Sequence, residues 1–225
     1  MKYSAIITDI EGTTSRISFV TDVLFPYAAT ELPAFIQAQQ HNEAVATQLQ
    51  ACRNLMQQPS ASLAQINEQL QQWIAQDAKV TPLKALQGMV WQHGYQSGAF
   101  TGHVYADAAA QLHHWHNSGI KLYVYSSGSV QAQQLLFQHS DAGDLTPLFS
   151  GYFDTQIGAK RDISSYAAIV QQLQLPPKQI LFLSDVTAEL DAAAPLGIDT
   201  VQLIREGQTA GSHKVASDFY QVLEQ

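Results

Sequence analysis

The fold follows from one stretch near the start of the chain, Tyr3-Ser4-Ala5-Ile6-Ile7-Thr8-Asp9-Ile10-Glu11-Gly12-Thr13-Thr14-Ser15. Its apolar, β-branched run predicts a short buried strand, and two carboxylates follow where the backbone leaves that strand. In an open α/β sheet, ligands bind at the carboxyl ends of strands. Gly12 suggests a tight bend that lets Asp9 and Glu11 approach one substrate group. We interpret the two acids as a catalytic pair, although an ordinary polar turn explains this stretch alone equally well.

The composition describes a globular protein. A length of 225 residues suffices for one core domain with an insertion. With 46% hydrophobic residues and no apolar run of membrane-spanning length, we expect no membrane insertion. The net charge of -8 argues against nucleic-acid binding but leaves room for a small anionic ligand held by a metal ion and placed lysines. No secretory signal is visible and Cys52 is the single cysteine, so we expect a cytoplasmic protein.

Residues 19–98 form a distinct segment that is rich in Ala, Gln and Leu. Apolar residues at helical spacing predict amphipathic helices, and we therefore expect an all-helical insertion. Ser62 with Gln65 resembles a capping box, and Thr81-Pro82 predicts an N-cap followed by a proline. We interpret Cys52 as a packing residue rather than a nucleophile, because its only basic neighbour is Arg53.

After the insertion, helical and strand patterns alternate to the end of the chain. This alternation predicts a parallel, doubly wound α/β sheet that also contains the first strand. His113, His114 and His116 are interpreted as surface or half-buried histidines, because nothing at the right spacing completes a metal site. The predicted helices are 106–117, 130–139, 163–173 and 188–196, and the predicted strands are 121–125, 152–155, 180–183 and 200–203.

Three further strand ends carry polar side chains of the kind that the first acidic pair would need. Ser126 and Ser127 follow one strand and open a helix, where hydroxyls and free amides bind anionic oxygens. Lys160 follows the next strand and supplies a cation. Asp185 ends the strand after that and is placed to bind a divalent cation, while Thr187 is a candidate cap for the next helix. Four strand ends with such complementary groups indicate one phosphate site.

The order and spacing of these groups resemble the haloacid dehalogenase superfamily of phosphotransferases. The four matching motifs are Asp9-Ile10-Glu11-Gly12-Thr13, Ser126, Lys160 and Ser184-Asp185 through Glu189. Glu11 stands where most phosphatases of the superfamily have Asp. Together with Phe25-Pro26-Tyr27, Leu86-Gln87-Gly88 and Trp91, it makes nearly the whole chain resemble the acireductone-forming enolase-phosphatases of methionine salvage.

This resemblance implies an α/β phosphatase core of residues 1–18 and 99–225 with a helical cap of residues 19–98. It implies that Asp9 is the nucleophile, that Glu11 is the acid–base partner, and that Lys160 is both catalytic and phosphate-binding. Ser126 and Ser127 would bind phosphate. Mg²⁺ would be held by Asp9, Asp185 and the backbone carbonyl of Glu11.

The implied substrate is a small phosphorylated diketone, 2,3-diketo-5-methylthiopentyl-1-phosphate, which is enolised and then dephosphorylated. The extra methylene of Glu11 would let one carboxylate serve both steps, and Phe19, Leu24 and Trp91 would cover the methylthio tail or pack the cap. We expect a monomer. The alternatives are a haloacid dehalogenase-type phosphatase acting on a sugar phosphate, and a non-catalytic protein that keeps the fold.

Overall fold

The computed structural model describes residues 2–76, 78 and 80–223. They divide into two compact units. One unit runs to Ile17 and resumes at Thr101, and the other spans Ser18–Phe100. That the second unit acts as a cap stays a prediction.

The first unit is built on a six-stranded sheet in which every pairing is parallel. The strand order is β3-β2-β1-β4-β5-β6. The chain therefore leaves β1 toward one side of the sheet and returns on its other side, and β1 marks the switch point at which α/β proteins bind ligands. The strands are β1 (Ala5–Thr8), β2 (Lys121–Tyr125), β3 (Phe149–Phe153), β4 (Ile180–Ser184), β5 (Asp199–Leu203) and β6 (Lys214–Ala216).

The two central strands have the sequences expected of a parallel sheet that is covered on both faces. All residues of β1 and β4 are buried, so neither strand shows the alternating pattern of a half-exposed sheet. Ile7 and Phe182 belong to one hydrophobic cluster with Tyr166 and Ile169. The predicted fold class, a doubly wound parallel α/β sheet, is confirmed.

Eight α-helices are described, four in each unit. In the second unit the regular elements among the described residues are all helical, and they pack around Leu32, Leu49, Leu70 and Leu86. No described helix combines the length and the apolar character that a membrane crossing requires. The helices are α1 (Phe25–Gln39, preceded by a π-helical turn Val20–Leu24), α2 (Glu43–Leu55), α3 (Leu63–Ala75), α4 (Thr81–Ser97), α5 (Ala106–Asn117), α6 (Val130–Gln138), α7 (Ile163–Leu173) and α8 (Thr187–Ala193).

Several local predictions can be compared with these elements. The capping box of Ser62 and Gln65 is present at the start of α3, and Cys52 is a fully buried packing residue of the second unit. Thr81 and Thr187 are not N-caps, because their helices begin at these residues and Val80 and Val186 occupy the cap positions. Pattern alone locates a helix end only to within a residue or two.

The largest displacement of a predicted element concerns β3, which begins at Phe149 rather than Tyr152. Ser150 and Gly151 interrupt the apolar pattern that marks a strand, yet Gly151 pairs with Tyr123 and packs against its ring. The three residues of β6 were not predicted, since a strand of that length has no readable alternation.

Candidate active site

The candidate site lies where β1, β2 and β4 end. Asp9 directly follows β1, and its backbone N–H donates to the carbonyl of Leu183 in β4 at 2.9 Å. This bond continues the parallel ladder by one residue, so the position of the Asp9 backbone is set by the sheet. The Asp9 side chain is almost completely buried, with 3% of the residue exposed.

A tight loop carries the chain from Asp9 to Ser15. The N–H groups of Thr14 and Ser15 both donate to the carbonyl of Ile10, at 3.0 and 2.9 Å. Gly12 has φ +74°, a left-handed conformation that glycine adopts without strain. The buried hydroxyl oxygen of Thr13 accepts a bond of 3.0 Å from the N–H of Asp185. The loop that follows β1 is thereby attached to the end of β4.

Lys160 joins two carboxylates at the centre of the site. Its Nζ lies 2.6 Å from Asp9 Oδ1 and 2.6 Å from Glu189 Oε2. All three side chains are at least nine-tenths buried, so these ion pairs are little screened by water. Glu189 also accepts a bond of 2.8 Å from the hydroxyl of Ser184.

The backbone around Lys160 is fixed by α7. Tyr166 donates through its hydroxyl to the carbonyl of Lys160 at 2.7 Å, and Ser165 donates to the carbonyl of Ala159 at 2.8 Å. Gly158 has φ +136°, and a Cβ there would collide with the Ser165 side chain. These contacts explain why a lysine on a loop is held in one buried position.

Ser126 and Glu11 face each other across the ends of β1 and β2. The Ser126 hydroxyl donates to Glu11 Oε2 at 3.4 Å and accepts a bond of 3.1 Å from the N–H of Gly128. Ser129 caps α6 by accepting from Ala132. Ser127 is exposed on the same loop, and its role as a phosphate ligand stays a prediction.

The acidic side chains of the site outnumber its lysine, and this affects their pKa values. The acids are Asp9, Glu11, Asp185 and Glu189, of which Asp9 and Glu189 contact Lys160. Burial, followed by the negative charge of Asp9, raises the pKa of Glu11 and of Asp185. The same two causes raise the pKa of Glu189 to about 7. Burial by itself lowers the pKa of Lys160, but Asp9 and Glu189 outweigh it and the pKa of the ammonium is raised. The cluster therefore carries an excess of negative charge, which an added cation would offset.

The residues present fit a bound Mg²⁺. Asp185 Oδ1 is buried without a hydrogen-bond partner among the described residues, although a carboxylate oxygen in such a place normally has one. No group of three or more His, Cys, Asp or Glu side chains suited to a metal occurs in the described ranges. Two carboxylates and a backbone carbonyl are a partial set of oxygen ligands, of the kind that Mg²⁺ completes with water and phosphate.

Two parts of the site were not anticipated from the sequence. The sequence assigns no role to Glu189, and the structure places it against Lys160. Arg205 was missed: its Nε donates to the carbonyl of Thr13 at 3.2 Å, and its guanidinium forms a bidentate pair with Asp107 at 3.0 and 2.7 Å. No local motif marks this pair, because its partners are far apart in the sequence.

The histidines of α5 lie apart from these residues. His113, His114 and His116 are all exposed, as interpreted from the sequence. His116 contacts the backbone carbonyl of Leu148 at 3.1 Å.

Comparison with known proteins identifies the family. A model of the haloacid dehalogenase-like hydrolases matches residues 3–197. The chain is 54% identical over 219 residues to an Enolase-phosphatase E1 of Pseudomonas syringae pv. syringae, covering 97% of this chain and 96% of that protein. It is 52% identical over 209 residues to an Enolase-phosphatase E1 of Methylococcus capsulatus, covering 93% and 92%. The chain belongs to the enolase-phosphatase E1 family of haloacid dehalogenase-like hydrolases.

Solved structures agree with this family assignment. The UTR4 protein of Saccharomyces cerevisiae has a TM-score of 0.83 and 36% identity, over 96% of this chain and 98% of that one. A dehalogenase with a TM-score of 0.58 and 20% identity shares the fold alone. Membership in the enolase-phosphatase E1 family makes the chain an enzyme of the phosphatase class, and phosphatases of this superfamily generally use Mg²⁺.

We expect Gly12→Ala to destabilise the protein and to weaken its binding of Mg²⁺. The left-handed backbone costs an alanine roughly 1–2 kcal/mol, and the new Cβ would lie 2.5 Å from Asp185 Cγ. Urea unfolding and a Mg²⁺ titration would measure both effects.

Gly119→Ala is the matched control. Gly119 has φ +84°, and no atom lies within 4 Å of the place that a Cβ would occupy, so this variant carries the backbone cost without the collision. Equal Mg²⁺ affinities in the two variants would contradict the close approach of Gly12 to Asp185.

Proposed function

We propose that this enzyme is a Mg²⁺-dependent enolase-phosphatase that converts 2,3-diketo-5-methylthiopentyl-1-phosphate into the acireductone 1,2-dihydroxy-3-keto-5-methylthiopentene and phosphate. The observation that carries the proposal is the buried contact of 2.6 Å between Lys160 and Asp9, at the carboxyl end of the central strand. It supports a carboxylate that the Lys160 ammonium holds in one position for attack. The name of the close relatives supports the pairing of enolisation with phosphate release.

Asp9 is the nucleophile of the proposed phosphoryl transfer. One carboxylate oxygen forms a bond to phosphorus as the bond from phosphorus to the substrate oxygen breaks, which leaves an aspartyl-phosphate. Water then attacks the same phosphorus and releases inorganic phosphate with the carboxylate restored. Lys160 holds Asp9 in place, because its ammonium contacts that carboxylate in a water-poor setting.

Glu11 is the proton carrier of both half-reactions. It protonates the departing substrate oxygen and later takes a proton from the attacking water. The burial that raises its pKa supports the first role, since a carboxyl group with an ordinary pKa would be almost entirely ionised at neutral pH. Ser126 contacts Glu11 Oε2 and is therefore close enough to help hold the phosphate that Glu11 serves.

Asp9, Asp185 and the backbone carbonyl of Glu11 are the proposed ligands of Mg²⁺. The ion, when bound, neutralises phosphoryl oxygens and polarises the ketone of the substrate. Enolisation also needs a base beside the reacting carbon. Glu11 is our candidate, because its side chain is about 1.5 Å longer than that of Asp by one C–C bond. The small phosphorylated diketone is the proposed ligand of a cytoplasmic monomer.

Substrate comparison tests the proposal against a general sugar-phosphate phosphatase. The purified enzyme with Mg²⁺ would be offered the diketone phosphate and a panel of sugar phosphates, and kcat/KM would be measured for each by phosphate release. We expect the diketone phosphate to be preferred by at least about 100-fold, a discrimination of nearly 3 kcal/mol. A sugar phosphate that is hydrolysed as well as the diketone would contradict the proposed substrate.

We expect the metal-free enzyme to lose stability as the pH rises from about 5 to about 7.5. Glu189 has a pKa of about 7 in the folded protein, against about 4.3 in an unfolded chain. Between these values the folded state holds a proton that the unfolded state has released, so unfolding becomes easier with rising pH. The loss should be on the order of 1–3 kcal/mol. Melting temperatures in a chelator would measure it.

Added Mg²⁺ should reverse this loss. The ion supplies positive charge to the carboxylates, so it should raise the melting temperature more at about pH 7.5 than at about pH 5. A stabilisation by Mg²⁺ that is larger at the lower pH would contradict the proposed charge balance.

A further inference from the structure

A short turn after β5 lies beside Asp185. Gln208 closes this turn by accepting two backbone N–H bonds at its Oε1, from Arg205 at 2.9 Å and from Glu206 at 2.8 Å. Gly207 has φ +87°, which allows the chain to reverse between these residues. Because Oε1 accepts from two donors, the orientation of the side-chain amide is determined. Its NH₂ group is the end that faces Asp185.

The NH₂ group of Gln208 binds one oxygen of the Asp185 carboxylate and leaves the other open. Nε2 donates to Asp185 Oδ2 at 3.2 Å. Asp185 Oδ1 is buried and has no hydrogen-bond partner among the described residues. One carboxylate thus has a satisfied oxygen and an oxygen with unused lone pairs.

The backbone of Asp185 is fixed independently of Gln208. Its N–H donates to the Thr13 hydroxyl at 3.0 Å, and its carbonyl accepts from Gln202 Nε2 at 3.2 Å. What these bonds do not fix is the rotation of the carboxylate about its Cβ–Cγ bond. Gln208 is the contact that does so.

We infer that Gln208 is a positioning residue, which orients Asp185 so that Oδ1 is presented to Mg²⁺. The inference rests on the proposed function, in which Asp185 is a ligand of that ion. Gln208 acts through Asp185. Hydrogen bonds to metal-binding carboxylates set their orientation, and their loss typically costs about 10–100-fold in metal affinity.

The first test measures metal binding without substrate. Gln208→Met keeps the length of the side chain but removes both its donor and its acceptor. We expect the dissociation constant of Mn²⁺, measured by electron paramagnetic resonance of the free ion, to rise about 10-fold or more. At saturating Mg²⁺, kcat should return to within about 3-fold of the wild-type value, because the chemistry does not use Gln208.

Gln221→Met is the matched control. Gln221 likewise accepts a backbone N–H, from Ser217 at 3.1 Å, and donates to a carboxylate, that of Asp218 at 3.4 Å. Asp218 has no place in the proposed site, so Mn²⁺ affinity should equal that of the wild type. A Gln208→Met enzyme that binds Mn²⁺ as tightly as this control would overturn the inference.

A second measurement needs no variant. Bound Mn²⁺ broadens nuclear magnetic resonance signals in its vicinity, so substoichiometric Mn²⁺ should erase the side-chain amide signals of Gln208. A sharp Gln208 signal in the presence of bound Mn²⁺ would also overturn the inference.

The inference and the proposed function fail in different ways. If the wild-type enzyme turns over the diketone phosphate with Mg²⁺ while the Gln208→Met variant binds Mn²⁺ as tightly as the wild type, the role of Gln208 alone is refuted. Wild-type enzyme that binds neither ion refutes the metal site of the proposed function and the inference together.

Discussion

Asp9→Asn should abolish phosphate release, with kcat reduced by at least about 10⁴-fold, as expected when a covalent nucleophile is removed. The substitution keeps the size of the side chain but replaces a carboxylate with an amide, which is a poor nucleophile. Asp9 is the buried acid at the end of β1 that contacts Lys160 at 2.6 Å. Phosphate release with Mg²⁺ would be measured alongside circular dichroism, so that misfolding is detected separately.

Detection of the aspartyl-phosphate intermediate provides a second test of the same variant. Acid quenching during turnover of a substrate with labelled phosphate should leave label on the wild-type protein and none on Asp9→Asn. Asp191→Asn is a suitable control, because this exposed acid on α8 contacts His213 and none of the proposed catalytic residues. Magnesium-dependent phosphate release that survives Asp9→Asn would contradict the nucleophile assignment.

Lys160→Met should reduce both activity and stability. It removes the cation between Asp9 and Glu189 and leaves two buried carboxylates without compensation. Removing one partner of a buried ion pair costs about 3–5 kcal/mol, and losing an electrostatic contact to a reacting group costs roughly 10²–10³-fold in kcat. Urea unfolding and phosphate release would give the two values.

Added Mg²⁺ should recover part of the lost stability, since it supplies positive charge to the same carboxylates. The exposed Lys178 provides the control, and Lys178→Met should change neither quantity appreciably. A Lys160→Met enzyme with the stability and rate of this control would show that the ion pairs of Lys160 are not important for folding or catalysis.

The first strand and its acids illustrate what a sequence reveals. A continuous apolar run that ends in acids predicts a buried parallel strand with its functional groups at one end, and β1 with Asp9 is that arrangement. The meeting of Asp9 with Lys160, which follows β3, also agrees with this pattern, because all the parallel strands of one sheet bring their carboxyl ends to the same edge. These features depend on periodicity and topology, which can be read along the chain.

Gln208 and Glu189 show what is not readable in this way. Gln208 is one glutamine among many in the sequence. Its proposed role depends on a turn that points its NH₂ group at Asp185. Glu189 lies at a recognised motif, yet its contact with Lys160 depends on how α8 packs. Such partners are set by side-chain orientation in three dimensions, for which no sequence pattern exists.

The central claim is that one Mg²⁺-dependent site performs enolisation and then dephosphorylation. A single-turnover experiment with the diketone phosphate, which follows ultraviolet absorbance of the enediol and phosphate release together, tests it most directly. We predict that enol absorbance rises first and that phosphate follows in a distinct later phase, with both phases lost in a chelator. Phosphate released without any enediol absorbance would contradict the claim.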